Sequence, residues 1–277
     1  MSVIYGVVTY FVGWCFSQSF LRGVECGSED LGHSRGMLSV GTWNVLAEEY
    51  VRLGHYTEAA PSSLDGTTRR AKVVAWVLAS GLDVLGLQEA DEYLVEALEE
   101  ELGGERVLWY PKLGGSIGVA TVLGDVELVR SSGVVLQEGA SQVAALVEVV
   151  KDNVHYRVGN VHLKYVAPVG PESERAGVIQ MKAALRAMSS FGGAPSILVG
   201  DTNARPGELV RESLVYAGYR EYQGVGPSAV IDGVAESIDV VAGFGVQGRA
   251  RRSEVEVVGI PNEAVPSDHV PLLVDFE

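Results

Sequence analysis

From residue 37 onward, short apolar runs alternate with segments of helical period. "MLSVGTWNVL" (37–46) reads as a strand. "TTRRAKVVAWVLAS" (67–80) reads as a helix, with Thr caps at its start, Ala71, Val74, Ala75 and Leu78 on one face, and Gly81 as its stop. "DVLGLQE" (83–89) returns as a strand, and a helix over 91–102 follows, capped by Asp91 and ended by Gly103. Between 107 and 163 the runs "VLWYP", "IGVATVL", "ELVRSSGVVL", "AALVEVV" and "YRVGNVHL" are separated by Gly-containing turns, which predicts antiparallel pairing. A helix over roughly 173–190 ends at Gly192–Gly193. The strand 196–200 comes next, then a helix from Pro206 to about Ala217, and "SIDVVAGF" and "HVPLLVDF" close the chain. Mixed strands with interspersed helices predict an α/β architecture: two sheets packed face to face with helices outside.

Composition narrows the function classes. The 277 residues are 47% hydrophobic, enough for one large core, and no repeat or linker divides them, so 37–277 reads as one domain behind an extension, 1–36. The formal net charge of -15 argues against a long polyanionic partner. It leaves room for a small phosphorylated substrate or a short strand end held locally. Acid gathers in "DEYLVEALEEELGGE" (91–105) as a solvated helix face, and the basic "RARR" (249–252) reads as a loop. Cys15 and Cys26 lie ahead of the core without metal spacing, and no N-x-S/T sequon occurs. "MSVIYGVVTYFVGWCFSQSFL" has no charged side chain through Leu21 but no basic leader, so a cleaved signal, a membrane anchor and a plain extension stay open. A cytoplasmic location is favoured over an anchored or exported one.

Polar side chains recur where strands end: Asn44, Glu89, His162, Asp201 with Asn203, Asp239, and Asp268 with His269. Each has a bland reading as a turn, a cap or a satisfied core histidine. Eight such residues, all at strand ends, point instead to one shared site. In "SILVGDTNARP", Asp201, Asn203 and Arg205 stand at alternate positions and would share a strand face. A carboxylate and an amide oxygen there suit a hard cation, and an arginine suits a phosphate.

"WNVL", "LQE", "VHL", "GDTN", "IDVV" and "SDH" follow one another in the order found in the endonuclease/exonuclease/phosphatase superfamily, which the chain resembles from about 37 to 277. "WNVLAEEY", "GNVHLKY" with "QMKAAL", and "GIPNEAVPSDHVPLLVDF" are most similar to its nocturnin and carbon-catabolite-repression deadenylase branch. The resemblance implies a four-layer α/β sandwich and Mg²⁺-dependent cleavage of phosphoester bonds, with Mn²⁺ as a substitute. Glu89 would be the direct metal ligand with Asn44 beside it, and Asp268 would complete the site through water. His269 would act as base for water or stabilise the transition state, oriented by Asp239. His162 would donate to a phosphate oxygen, Asp201 would position or deprotonate the water, and Asn203 would bind phosphate or metal.

The substrate is less defined. The deadenylase branch carries a base-stacking aromatic before its "ID" strand, whereas "QGVGPSAVIDGVAESIDVVAG" (223–243) has none. Stacking contributes roughly 1–3 kcal/mol per base. Lys112, Lys164 and Arg205 are candidates for a second phosphate. An RNA end and a small nucleotide, dinucleotide or lipid headgroup are the substrate classes in play, with a silent binding module as the non-enzymatic alternative. No leucine-rich adaptor region precedes the core, so a large deadenylase complex is not implied.

Overall fold

The computed structural model describes residues 37–51, 56, 59–165, 169–193, 195–222, 226–251, 257 and 259–277. The readings for the first 36 residues, Cys15 and Cys26 included, lie outside these. No helix among the described residues is long and apolar enough to cross a membrane.

In chain order the main elements are β1 (Leu38–Asn44), α1 (Gly66–Ser80), β2 (Val84–Asp91), α2 (Glu92–Leu102), β3 (Val107–Pro111), β4 (Ile117–Leu123), β5 (Glu127–Val135), β6 (Val143–Lys151) and β7 (Val154–His162). They continue with α3 (Ala176–Phe191), β8 (Ser196–Asp201), α4 (Leu209–Tyr216), β9 (Arg220–Glu221), β10 (Ala229–Ile231), β11 (Val234–Glu236), β12 (Asp239–Phe244), β13 (Gly248–Ala250) and β14 (Leu272–Phe276). One six-stranded sheet runs β13-β14-β1-β2-β4-β3 and the other β5-β6-β7-β8-β12-β9, while β10 and β11 form a separate hairpin. The predicted antiparallel middle is present in β3–β4 and β5–β6–β7. The pairs β1–β2 and β7–β8 are parallel, which makes both sheets mixed.

Three apolar layers result. Val40, Val84, Val147, Val158, Ile197, Val199, Val241 and Phe276 meet between the sheets. Trp43, Val73, Trp76, Leu87, Leu94 and Leu98 join α1 and α2 to the outer face of the first sheet. Leu146, Val161, Met181, Met188, Leu198 and Leu214 join α3 and α4 to the second. Because side chains alternate along a strand, every inner-face position belongs to one set. That set is Val40, Thr42 and Asn44 on β1; Val158, Asn160 and His162 on β7; Val199 and Asp201 on β8; Asp239 and Val241 on β12. Each strand is apolar in its middle and polar at one end, so these ends meet at one mouth of the sandwich.

Three expectations change. The buried face of α1 is Arg69, Val73, Trp76 and Val77, and its cap is Asp65, whose side chain accepts from Thr68 N. Apolar residues surround that helix, so periodicity alone selects no face, and burial of the two-ring Trp76 decides it. The strand "SILVGD" stops at Asp201. Asn203 sits in a turn at φ 49°, so the alternation that placed Asp201, Asn203 and Arg205 on one strand face does not continue. The helix expected from Pro206 begins at Leu209.

Candidate active site

Strand register brings the second sheet's contribution together. His162 pairs with Asp201 across β7–β8, and Asp201 with Asp239 across β8–β12, so three polar side chains stand side by side on the inner face. Gly200 is needed between them: its φ is 141°, and a Cβ there would lie 1.9 Å from the Val161 carbonyl oxygen.

Glu89 reaches the mouth differently. Alternation along β2 puts Val84, Gly86 and Gln88 inward and Leu85 and Leu87 outward, so Glu89 ought to point away. A bulge between Gln88 and Ala90, with Glu89 at φ 58°, turns it inward, and Ala90 resumes the outer face. Bulges of this kind re-aim one side chain at a functional edge.

The side chains converge closely. Asn44 Nδ2 donates to Glu89 Oε1 and to Asp201 Oδ2, both at 3.0 Å. Ala47 N donates to Glu89 Oε2 at 3.1 Å. His162 Nε2 lies 3.8 Å from Glu89 Oε1 and 3.7 Å from Asp201 Oδ2. His269 Nε2 is 3.9 Å from that same Asp201 oxygen, and its Nδ1 is 2.8 Å from Asp239 Oδ2. Asn203 N donates to Asp201 Oδ1 at 2.8 Å, and its amide Nδ2 to the Leu163 carbonyl at 2.9 Å. Asp268 Oδ2 accepts from Tyr56 Oη at 2.8 Å.

The charges do not balance among themselves. Burial, then the neighbouring Asp268 carboxylate, raises the pKa of Glu89. Burial and Asp239 push Asp201 up to about 7. Burial would lower the pKa of His269, but the carboxylates of Asp239, Asp268 and Asp201 outweigh it and hold the ring well above the ordinary histidine value. His162 goes the other way: burial, then the positive charges of Lys112 and His269, hold it well below. One neutral imidazole and one imidazolium therefore share four carboxyl groups.

This donor set fits a hard divalent cation. Glu89 and Asp268 repel one another across a pocket that offers oxygen ligands, the arrangement such ions relieve. Asn44, as oriented, presents its NH₂ to the two carboxylates and its Oδ1 to Leu46 N at 3.1 Å, so a ligand role for it requires the amide to turn over. Asp201, Asp239 and His269 form a second buried group whose ligand atoms lie within 4.8 Å of one another, a spacing that can hold a metal. Ligation by His269 would use Nε2 of a neutral ring whose Nδ1–H donates to Asp239. Glu89 and Asp268 are the other pair of oxygen donors that could hold the ion.

The three basic candidates separate. The Arg205 guanidinium is exposed and taken by both carboxylate oxygens of Glu236, which leaves no fork for a phosphate. Lys164 is exposed beyond the end of β7. Lys112, between β3 and β4, stacks 5.3 Å from the Tyr50 ring centroid and is felt electrostatically by His162.

Several supporting residues escaped the sequence reading. Tyr56 shows no pattern that marks it. Ser267 Oγ donates to the Asn44 carbonyl at 2.6 Å and accepts from His269 N at 3.1 Å, stitching the first and last motifs together. Gln88 and Asn160 form a buried polar layer beneath the mouth, joined by a 2.7 Å bond between the sheets. Their signal was available: each is a polar residue on an inner-face position of an otherwise apolar strand.

A family model described as the endonuclease/exonuclease/phosphatase family matches residues 41–269. No curated protein sequence matches the chain. Among solved structures, ANGEL2, described as a 2',3'-cyclic phosphatase, superposes with a TM-score of 0.73 at 18% identity, covering 87% of this chain and 95% of that one. The same protein in complex with adenosine-2',3'-vanadate gives 0.72 at 18% identity over the same shares of the two chains. The human nocturnin catalytic domain with bound sulfate gives 0.69 at 21% identity, covering 87% and 93%. At these identities the likeness is one of fold.

Proposed function

The chain belongs to the endonuclease/exonuclease/phosphatase family, and from that membership we propose that it is a Mg²⁺-dependent phosphodiesterase acting at the end of a short nucleotide strand. The observation that carries this reading is the convergence of Asn44, Glu89, His162, Asp201, Asp239, Asp268 and His269 at one mouth of the sandwich. Glu89 and Asp268 would hold the metal, with Asn44 beside them and Mn²⁺ as a substitute. A divalent ion held there would neutralise phosphate charge and polarise the phosphoryl group.

The residues divide the remaining work by their protonation. Asp201 accepts hydrogen bonds on both oxygens yet has a pKa near neutrality, which suits it to take the proton of the attacking water. His269 enters as an imidazolium, so it stabilises charge building on the phosphoryl oxygens rather than acting as the base. Asp239 keeps that ring charged and oriented. His162, neutral, presents Nε2 to the same space. Asn203 fixes Asp201 through its backbone N–H. Lys112 is the basic side chain placed to meet a further phosphate.

A structural relative suggests the end group: ANGEL2 is described as a 2',3'-cyclic phosphatase and has been solved in complex with adenosine-2',3'-vanadate. The motif likeness to nocturnin and the deadenylases points to RNA ends. A second reading, a small phosphorylated molecule, is favoured by one observation: Arg205 is occupied by Glu236, leaving little cationic track for an extended backbone. The test is turnover of purified protein with Mg²⁺ or EDTA. Substrates would be oligonucleotides ending in 2',3'-cyclic phosphate, 3'-hydroxyl poly(A), mixed RNA, dinucleotides and phosphomonoesters. Phosphodiesters should be cleaved at least about tenfold faster than monoesters, a difference of about 1.4 kcal/mol in barrier, and EDTA should abolish the reaction. Full activity in EDTA, or none on any phosphodiester, would overturn the reading.

A further inference from the structure

Arg69 is a charged side chain on the apolar face of α1 with only 4% of its surface exposed. Its Nε donates to the Pro266 carbonyl at 2.6 Å, and its Nη2 donates to the carbonyls of Val45, at 3.0 Å, and Leu46. Val45 and Leu46 directly follow Asn44, and Pro266 stands two residues before Asp268. The guanidinium therefore clasps the two segments that carry Asn44 and Asp268.

We propose that Arg69 is a positioning residue that sets the spacing of the Glu89–Asp268 metal pocket; this rests on the metal reading above. Leu46 occupies the left-handed region at φ 55°, an uncommon and costly conformation for a residue other than glycine that persists where the surroundings hold it. Leu46 N caps Asn44 Oδ1, and Ala47 N donates to Glu89 Oε2, so the turn that Arg69 clasps also supplies contacts to the ligands. A guanidinium offers N–H groups in a rigid planar fork, whereas a lysine carries its three donors on one compact ammonium at the end of a flexible stem and does not reproduce that spread. The fork is spent on carbonyls, yet its charge reaches Asp268, Tyr56 and Glu89. It can thus offset the carboxylates without taking the place of a metal.

The chain holds a matched comparison. Arg211 on α4 is 1% exposed and also donates to three carbonyls, those of Ala204, Ser237 and Asp239, while pairing with Glu221. It braces the Asp201–Asp239 side, and its hydrogen bonds among the described residues go to none of Asn44, Glu89 and Asp268.

The experiment is a titration of Mn²⁺ into the EDTA-treated, desalted full chain, read by electron paramagnetic resonance without substrate. Wild type, Arg69→Lys and Arg211→Lys are compared at a temperature where circular dichroism shows each folded. Arg69→Gln replaces Arg69→Lys if the lysine variant does not fold. The Arg69 variant should bind Mn²⁺ about 10–100-fold more weakly, the usual effect of removing support behind a ligand. Arg211→Lys should stay within about threefold of wild type. An Arg69 variant that binds like wild type overturns the inference while leaving the metal reading standing. Equal weakening in both arginine variants also overturns it, because loosening of the fold then explains the effect. If wild type binds no Mn²⁺, the metal reading fails and the inference fails with it.

Discussion

Glu89, Asp201 and Asp239 are three carboxyl groups, the first half-buried and the other two buried, and substitution separates the tasks proposed for them. Glu89→Gln removes the charge that a metal requires while keeping shape. Since metal assistance is worth several kcal/mol and each 1.36 kcal/mol is a factor of ten, turnover should fall at least about 100-fold, measured at saturating Mg²⁺. Burial and Asp239 raise Asp201 to about 7 in the folded chain, against an ordinary aspartate value of 3.8. The folded state keeps its proton longer, so its contribution to stability is present below pH 4 and is lost as pH rises from about 4 to about 7. Asp201→Asn lacks that term. In EDTA its melting temperature relative to wild type should therefore climb between pH 4 and pH 7.5; a flat or falling difference would refute the assignment. Asp239→Asn withdraws the partner that holds His269 charged. kcat should drop about 10²–10⁴-fold, the range of a general acid–base group. The alkaline limb of the kcat–pH profile should also move to lower pH, and an unchanged limb would count against the imidazolium role.

At the scale of elements, the site depends on local departures from regular structure. The β2 bulge is what lets Glu89 share the mouth with Asn44, although the two sit on neighbouring parallel strands with opposite nominal facing. Its continuation is pinned by Asp91, whose side chain accepts from Leu94 N at 2.9 Å and starts α2 directly after the strand. Asp91→Ala should cost about 1 kcal/mol of unfolding free energy, the usual value of an N-cap, measured by urea denaturation. Helix α1 shows the opposite difficulty. Its sequence is apolar on almost every side, and the arginine that periodicity would place in solvent is the one that tertiary structure buries.

For the whole molecule, charge limits the substrate more than shape does. The net charge of -15 surrounds an acidic centre, and Arg205 is already paired. On the proposed function, binding would then rest on one or two phosphates. For single strands the slope of log affinity against log salt is about -0.7 per phosphate contacted, so kcat/KM should vary with a slope no steeper than about -1.4. Poly(A) should show little advantage over other RNA, because the 223–243 segment supplies no aromatic for stacking. A steep slope together with strong adenine selectivity would show an extended, base-reading groove instead.

By itself, the sequence determined the architecture and indicated most of the polar side chains that the fold gathers at one mouth, while it also counted Arg205, which Glu236 occupies, and missed Tyr56 and Ser267. Strand alternation depends on local residue type, so inner-face apolar runs ending in Asn44, His162, Asp201 and Asp239 were legible as they stood. The order of six motifs was legible for the same reason. Other features required the folded chain because they arise between segments distant in sequence. Register across β7, β8 and β12 decided that His162, Asp201 and Asp239 are neighbours. A bulge decided where Glu89 points, and a turn at Asn203 ended the alternation that had included Arg205. Burial of Trp76 turned α1 so that Arg69 lies beneath the mouth. The protonation of the two histidines was also tertiary: both are buried, and only their distances to carboxylates and to Lys112 make one a cation and the other neutral. Such effects depend on separations of a few ångströms between groups up to about two hundred residues apart, a quantity that no local pattern encodes.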